Sequence, residues 1–443
     1  MKAFAAATVA SLFVRSIRRP QVRFMNTSTA NVKRVLIVGC GITGAATYRN
    51  LCKLNKHRDQ ETKLCVELWD KARDAGGRMT TSRTRSAPGS QADLGAQYLS
   101  PKVGRADMQL YEELKKANLL VELPNEVIYN NRTTDLSQRH YVAQNGMSSV
   151  VKFLIGSAVT NDHTSNVDGK VYFQRKAVRI DRSGTQWVVT DDKGDVSHFD
   201  VVVATMPIPQ LLGTHSSGLQ KSCDAIALLL RQENPRITET LEKVSYSSRY
   251  AAAIHYGPEA WSAVEKDTNN GGNNTPPWAL RYVTKDEDDA VVFVSVDNAK
   301  RCGGLVKSAV EQKIGPSVLI HSGVPWTIQR MSDSTKNNSH QIVAQELLER
   351  VTTNSALLPS LHNFKPISIK SLQWKFSQVR NGAAEEKGAI RVGGRLSNSK
   401  WPLFIIAGDG ISGSNFDNCN FSGSTAASYL IEEMFGNTSR SKI

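Results

Sequence analysis

The chain has 443 residues, 40% hydrophobic and 22% charged, enough for two or three domains with a substantial core. No apolar run reaches the roughly 18 residues that span a bilayer, and none of the six cysteines stands in a C-x-x-C pair, so neither a metal site, a redox dithiol nor a structural disulfide is expected. A formal net charge of +14 would suit nucleic acid only with basic residues interleaved among aromatics; no such cluster occurs, and the excess is assigned to an N-terminal leader and scattered surface positions.

The first acidic residue is Asp59. Ahead of it, residues 1–31 are rich in arginine and hydroxyl residues, the composition of a mitochondrial presequence. A secretory signal competes, because residues 3–14 are apolar behind Lys2, but Arg15, Arg18 and Arg19 stand where a small-residue cleavage site belongs. Mitochondrial targeting is the expectation, with peroxisomal, cytoplasmic and secreted locations as alternatives. The peroxisomal one rests on the terminal Ser441-Lys442-Ile443, one residue away from S-K-L. The first strand is expected near Val35, leaving residues 1–31 outside the fold.

"KRVLIVG" reads as a buried strand and "TGAATYRNLCKL" as the helix after it, joined by a turn with Gly39, Gly41 and Gly44. A second strand, "TKLCVELWD", ends in Asp70, 26 residues beyond Gly44. Strand, glycine turn, helix, strand and acid occur in the order of a dinucleotide fold. There the helix start meets a pyrophosphate and the acid meets an adenosine ribose. Gly76, Gly77 and Arg78 follow directly, a second turn carrying a cation, and then "ADLGAQYL" at 92–99. A G-G-R after the acid and a D-x-G-A segment resemble the amine oxidase superfamily of FAD enzymes, in which the second segment runs along the isoalloxazine ring.

Farther on, "KVYFQRKAVRIDRSGTQWVVTDDKG" alternates like an antiparallel sheet, with Val178 where that superfamily packs against adenine, and "FDVVVATMP" reads as a strand returning to the flavin. Residues 207–369 hold the strand-like "AAAIHYG", "ALRYVT", "AVVFVSVD" and "SVLIHSGV" and a helix at "HQIVAQELLERVTTN", expected to form a mixed sheet over the isoalloxazine. Near the end, Gly408, Gly410 and Gly413 repeat the G-x-G-x-x-G spacing, but only about thirty residues follow, too few for another βαβ unit. This stretch fits a C-terminal flavin motif, in which Asp409 bonds the ribityl hydroxyls and a helix starting near Asn415–Asn418 points its dipole at the flavin N1/C2=O edge.

In order, "VLIVGCGITG", "LWDKARDAGGRMTT", "ADLGAQY", "SYSSRY", "FVSVDN", "QWKFSQV" and "GDGISGSNFDNC" resemble the renalase family, over about residues 34–435. The Asn/Gly insertion at 266–277 and Arg73 depart from it. The fold expected is α/β, a two-domain amine oxidase-like flavoprotein. A discontinuous Rossmann-like FAD-binding domain takes 32–100, 140–206 and 370–436; a mixed-sheet α+β substrate domain takes 101–139 and 207–369; 437–443 form a tail. The resemblance adds Thr43, Gln97 and Tyr98 to Gly39, Gly41, Gly44, Asp70, Gly77, Arg78, Val178, Gly408 and Asp409 as contacts of a noncovalent FAD. Cys419 stands in a context unlike that of covalently flavinylated monoamine oxidases.

What the resemblance implies is oxidation of the 2- and 6-dihydro isomers of NAD(P)H to NAD(P)⁺ by hydride transfer to flavin N5, with O₂ reduced to H₂O₂. Such a reaction needs a held nicotinamide rather than a base, because losing hydride aromatises the ring. Pocket candidates are Arg249, His255, Arg281, His321 and Gln378, with Trp374 as a stacking or core residue. The competing functions are a flavin amine oxidase, whose two tyrosines and lysine cannot be placed here, and a binding protein on the same fold without redox activity. The expected partners are the dihydronicotinamide dinucleotide and O₂, with no nucleic acid and no membrane span.

Overall fold

The computed structural model describes residues 31–436 apart from 56–61, 132–134, 136, 160–166, 221–223, 270–276, 304–310, 312, 334, 336, 338 and 384–386. The leader up to residue 30, the tail 437–443, Cys223 and most of the Asn/Gly insertion lie outside the described residues. The first half of the chain runs β1 (Asn31–Val38), α1 (Ile42–Asn55), β2 (Thr62–Asp70), β3 (Ile128–Tyr129), β4 (Val167–Phe173), β5 (Val201–Ala204), α2 (Asp224–Glu233) and α3 (Pro235–Glu242). The second half runs β6 (Arg249–His255), β7 (Leu280–Tyr282), β8 (Val291–Val296), α4 (Asp297–Arg301), β9 (Ser317–Ser322), α5 (His340–Thr353), β10 (Ser368–Trp374), β11 (Ala389–Val392), β12 (Leu403–Ala407) and α6 (Phe416–Phe435).

The first sheet has the order β11-β12-β5-β1-β2-β4, parallel except for β11. Val35–Val38, β5 and β12 are buried throughout, which is why they read as unbroken apolar runs rather than alternating ones. β1 begins at Asn31, paired with Thr62, four residues before the expected start and inside the segment assigned to the leader. β5 begins only opposite Val35, so Asn31–Arg34 pair on one side and tolerate polar side chains. On one face α1 lies against α6; a Cβ on Gly423 would come 2.5 Å from the Thr43 carbonyl, so a glycine there permits the close approach.

The other face is covered by a three-stranded antiparallel meander (177–199) and by α2 and α3, which share one core through Trp69, Ile180, Trp187, Leu229 and Leu241. Two expectations are corrected here. Lys170–Phe173 does not open the antiparallel sheet; it belongs to β4, which takes the free edge of β2 in parallel. Ile208, Leu211, Leu219, Ile226, Leu230 and Val244 pack into this core and not beneath the second sheet, so the boundary at 207 is too early.

The second sheet has the order β10-β6-β9-β8-β7-β3 and is antiparallel but for the β7–β3 pair. β10 therefore crosses the expected boundary at 370, completing the second sheet as the edge neighbour of β6. One face carries Tyr250, whose ring edges against His340 at the start of α5. Strand alternation turns the other face, with Arg249 and Ala251, toward the segment Gln91–Tyr98 of the first unit.

Candidate active site

The first glycine turn is built as its spacing requires. Gly39 has φ +110° and donates its N–H to the Trp69 carbonyl at 2.8 Å, closing the strand-to-helix turn onto β2. A Cβ on Gly44 would overlap the Gly39 carbonyl, so only glycine lets α1 start this close to its strand. The second turn nests into the first: Gly76 N–H donates to the Cys40 carbonyl at 3.0 Å, and a Cβ on Gly77 would come within 3.2 Å of the Gly41 Cα. Asp70 braces both, accepting from Cys40 N–H and Ala72 N–H at 2.7 Å each. A carboxylate has about four acceptor positions, so two N–H groups leave capacity for ribose hydroxyls. Val178 is half-buried, its carbonyl taken by Gln220 N–H at 2.8 Å, and it borders an open cavity of about 630 Å³ that also touches Arg179, Asp181 and Asp191.

The C-terminal motif meets these turns. Gly408, with φ +123°, sits beside Thr205 at the end of β5, and Thr205 Oγ1 in turn bonds the Val38 carbonyl at 2.9 Å. Asp409 is buried and holds Arg78 in a two-pronged ion pair; Ser414 Oγ adds a bond at 2.7 Å and Tyr246 OH one at 3.5 Å. Burial works against the guanidinium charge, but Asp409 more than offsets it and holds Arg78 above its ordinary value. Arg78 also donates to the Phe376 carbonyl at 3.3 Å. Asn415 caps α6, accepting from Asn418 N–H at 2.8 Å, so the helix starts where the motif places it. Burial pushes the buried Cys419 thiol up to about 12, a neutral and unreactive group. The bare backbone of Gly39, Gly41, Gly77 and Gly408, between the Asp70 carboxylate and a capped helix start, fits FAD.

Above Gln91–Tyr98, the cross-strand register sets Trp374, Arg249, His321, Phe293 and Tyr282 on one face. The Leu94 carbonyl accepts from Trp374 Nε1 at 2.7 Å and from His321 Nε2 at 3.1 Å, tying this roof to the segment below. Burial above all, with the nearby Arg249 charge, pulls His321 down to about 4 despite the Leu94 bond, so its ring is neutral at physiological pH. Arg249 donates to the Ser322 carbonyl at 3.0 Å. Tyr98 OH and Tyr282 OH share a hydrogen bond at 2.6 Å.

Three pocket candidates stand elsewhere. Arg281 is opposite Val294, on the reverse face of the sheet, paired with Glu287 and stacked on Tyr129. A one-residue step separates it from Tyr282, the residue that does face the roof. His255 shares the face of Arg249 but lies six residues along β6, about 20 Å away. It is sealed there against Ser90 Oγ at 2.8 Å, and burial lowers it to about 4. Gln378 is exposed in a turn, and the bonds it makes are through its carbonyl, to Ser247.

Gln97 is also redefined. Its Nε2 donates to the Asp93 and Gly95 carbonyls, and its Oε1 accepts from Lys300 Nζ at 2.9 Å and Ser295 Oγ at 3.3 Å. The amide nitrogen is fully used and Lys300 holds the oxygen, while the single Ser295 proton is shared with the Asp297 carboxylate, which leaves Gln97 one acceptor position at most for a flavin. Behind it is a buried ion network missed by the sequence reading. Lys300 lies 3.2 Å from Asp93 and 2.9 Å from Asp297; Arg301 lies 2.6 Å from Asp93 and 3.3 Å from Asp297. The i, i+3 and i, i+4 spacing of Asp297, Lys300 and Arg301 after the apolar "VVFVSV" was the available signal.

Comparison with known proteins agrees with this architecture. Residues 37–114 match the family model of the NAD(P)-binding Rossmann-like domain, and residues 125–302 that of flavin containing amine oxidoreductases. The chain is 28% identical over 390 residues to renalase of Mus musculus, covering 88% of this chain and 96% of that protein. It is also similar to the solved structure of a protein designated a protoporphyrinogen oxidase, from Exiguobacterium sp. 255-15. There the TM-score is 0.55 at 12% identity, covering 90% of this chain and 98% of the other, a likeness of fold.

Proposed function

Since this chain is a renalase-like member of the flavin amine oxidase superfamily, an oxidoreductase with FAD as its cofactor, we propose that it oxidises the 2- and 6-dihydro isomers of NAD(P)H to NAD(P)⁺, the electrons passing to O₂ to give H₂O₂. The observation that carries this reading is the charge of the roof. Arg249 is a cation, its neighbour His321 is neutral, and Asp93 and Asp297 are both matched by Lys300 and Arg301. A protonated amine would meet the Arg249 charge that already lowers His321, whereas an anionic dinucleotide with a neutral dihydropyridine brings no second cation into the roof.

Bound FAD supplies the two-electron acceptor. The chain supplies position: the Leu94 carbonyl fixes the Trp374 and His321 rings above the segment Asp93–Tyr98. A His321 that titrates near 4 is too weak a base for proton abstraction at neutral pH, which matches a reaction that needs none. Anaerobic stopped-flow tests the reading. Flavin should bleach quickly with the 2- and 6-dihydro isomers and slowly with ordinary 1,4-NADH, whose hydride leaves a different ring carbon; a misplacement of ~1 Å removes about a hundredfold in rate. Rapid bleaching by a primary amine, with none by the isomers, would move the protein to the amine oxidase class.

The same reading includes noncovalent FAD and, from leader composition, mitochondrial targeting. The leader fused to a reporter should deliver it to mitochondria; entry into the secretory pathway would overturn that assignment.

A further inference from the structure

We infer that His321 reads the carboxamide of the substrate, accepting an amide N–H at Nδ1 while Arg249 beside it donates to the amide carbonyl. The inference rests on the dihydronicotinamide reading above and assigns it a recognition site.

A backbone carbonyl can only accept, so the bond from His321 Nε2 to Leu94 O places the ring proton on Nε2. In the neutral ring Nδ1 is then a bare acceptor. His321 makes its one hydrogen bond among the described residues to Leu94, and its Nδ1 is not among the buried polar atoms left unpaired. It is open to a ligand. His255 Nε2 makes the contrast: unpaired as well, but sealed inside the core.

The surroundings define what can bind. Phe293 lies tilted against the imidazole at 5.7 Å between centroids, and Trp374 is held by the same Leu94 carbonyl as His321, so the direction of Nδ1 is fixed before any ligand arrives. Arg249 stands directly opposite Trp374 in the register, two residues along β6 from Ala251, the partner of His321, and carries guanidinium donors. A carboxylate has no proton for Nδ1. An ammonium could donate to Nδ1 but meets the guanidinium charge. A primary carboxamide on a planar ring offers a donor and an acceptor side by side and carries no charge.

The test titrates flavin-loaded protein with NAD⁺ and with its 3-acetylpyridine analogue, in which a methyl replaces the amide nitrogen, following the flavin absorbance. The wild type should bind NAD⁺ about tenfold more tightly, the scale of one hydrogen bond. His321→Phe should bind both alike, and His321→Gln, which can still donate to Leu94 and offer an oxygen, should keep part of the preference. Retained flavin and an unchanged melting temperature certify each variant. The wild-type comparison stands even if a variant fails to fold. Equal binding of the two ligands by the wild type, with the dihydro isomers still reducing the flavin, overturns the role of His321 alone. A His321→Phe protein that keeps the preference also overturns it. If neither ligand binds and the isomers leave the flavin oxidised, the dihydronicotinamide reading fails and this inference with it.

Discussion

Arg78 and Asp409, 331 residues apart in the chain, meet in a two-pronged ion pair that ties the turn after Asp70 to the C-terminal glycine turn. Asp409 is buried while Arg78 keeps some access to water, so removing the carboxylate strands a partly shielded cation. Asp409→Ala should lower stability by about 2–3 kcal/mol, below the range for fully buried pairs because water partly screens Arg78. It should also reduce the flavin retained on gel filtration. Arg78→Lys keeps the charge but loses the fork and should fall between; full flavin content and an unshifted melting temperature in that variant would show the fork to be unimportant.

The Asp93–Lys300–Asp297–Arg301 network is balanced, two charges against two. Lys300→Met leaves two buried carboxylates on one guanidinium and should cost about 3–5 kcal/mol. Adding Asp297→Asn restores the balance and should recover a substantial part of the loss. Urea denaturation of the single and double variants measures it, and a double variant no better than the single one would refute charge balance as the cause.

His255 and His321 are both held near 4 in the folded protein, against about 6.5 for a free histidine. The unfolded chain therefore binds more protons between those values. Stability should be fully present above about pH 6.5, decline as pH falls toward 4, and lose no more from these rings below that. The slope is at most about 1.4 kcal/mol per pH unit for each ring. His255→Phe, paired with Ser90→Ala so that no hydroxyl is orphaned, should flatten the melting temperature profile in this window.

Two glycines in helices should respond oppositely to alanine. At Gly44 a Cβ meets the Gly39 carbonyl, backbone that cannot swing aside, so Gly44→Ala should yield protein with little flavin. Gly156 has open space around a Cβ and lies within the helix Ser148–Val159; Gly156→Ala should raise stability by about 0.5–1 kcal/mol with flavin unaffected.

With the buried Cys419 thiol kept neutral, flavin should leave on acid or heat denaturation and remain in the supernatant. Cys419→Ser should behave in the same way. Flavin precipitating with wild-type protein but released from this variant would establish a covalent link.

The cofactor turns were legible because their signals are local: a glycine, an acid and a cation at fixed spacing along an apolar run. The roof was legible only as a sheet. Whether Arg281 or Tyr282 faces the flavin unit depends on strand register, and one residue reverses the answer; the pattern "ALRYVT" is apolar or aromatic enough on both faces to hide it. The unit boundaries escaped for a related reason. β10 is sequence-adjacent to the C-terminal flavin motif but pairs with β6, and helices α2 and α3 look amphipathic without stating which core they cover. The polar opening of β1 hid four strand residues because a strand paired on one side need not be apolar.

The pairing of β5 with β12, Val201 opposite Leu403, also bears on how the protein is made. At translation rates of about 5–20 residues per second, roughly 10–40 s of synthesis separate the two strands. Throughout that interval the apolar edge of β5 has no neighbour on one side, a template for mispairing until β12 arrives. Asp409 and the α6 start emerge later still. Chains terminated early would carry an intact first glycine turn and a nearly complete second sheet, yet no finished nucleotide cradle. Flavin loading is thus deferred until the last tenth of the polypeptide has left the ribosome.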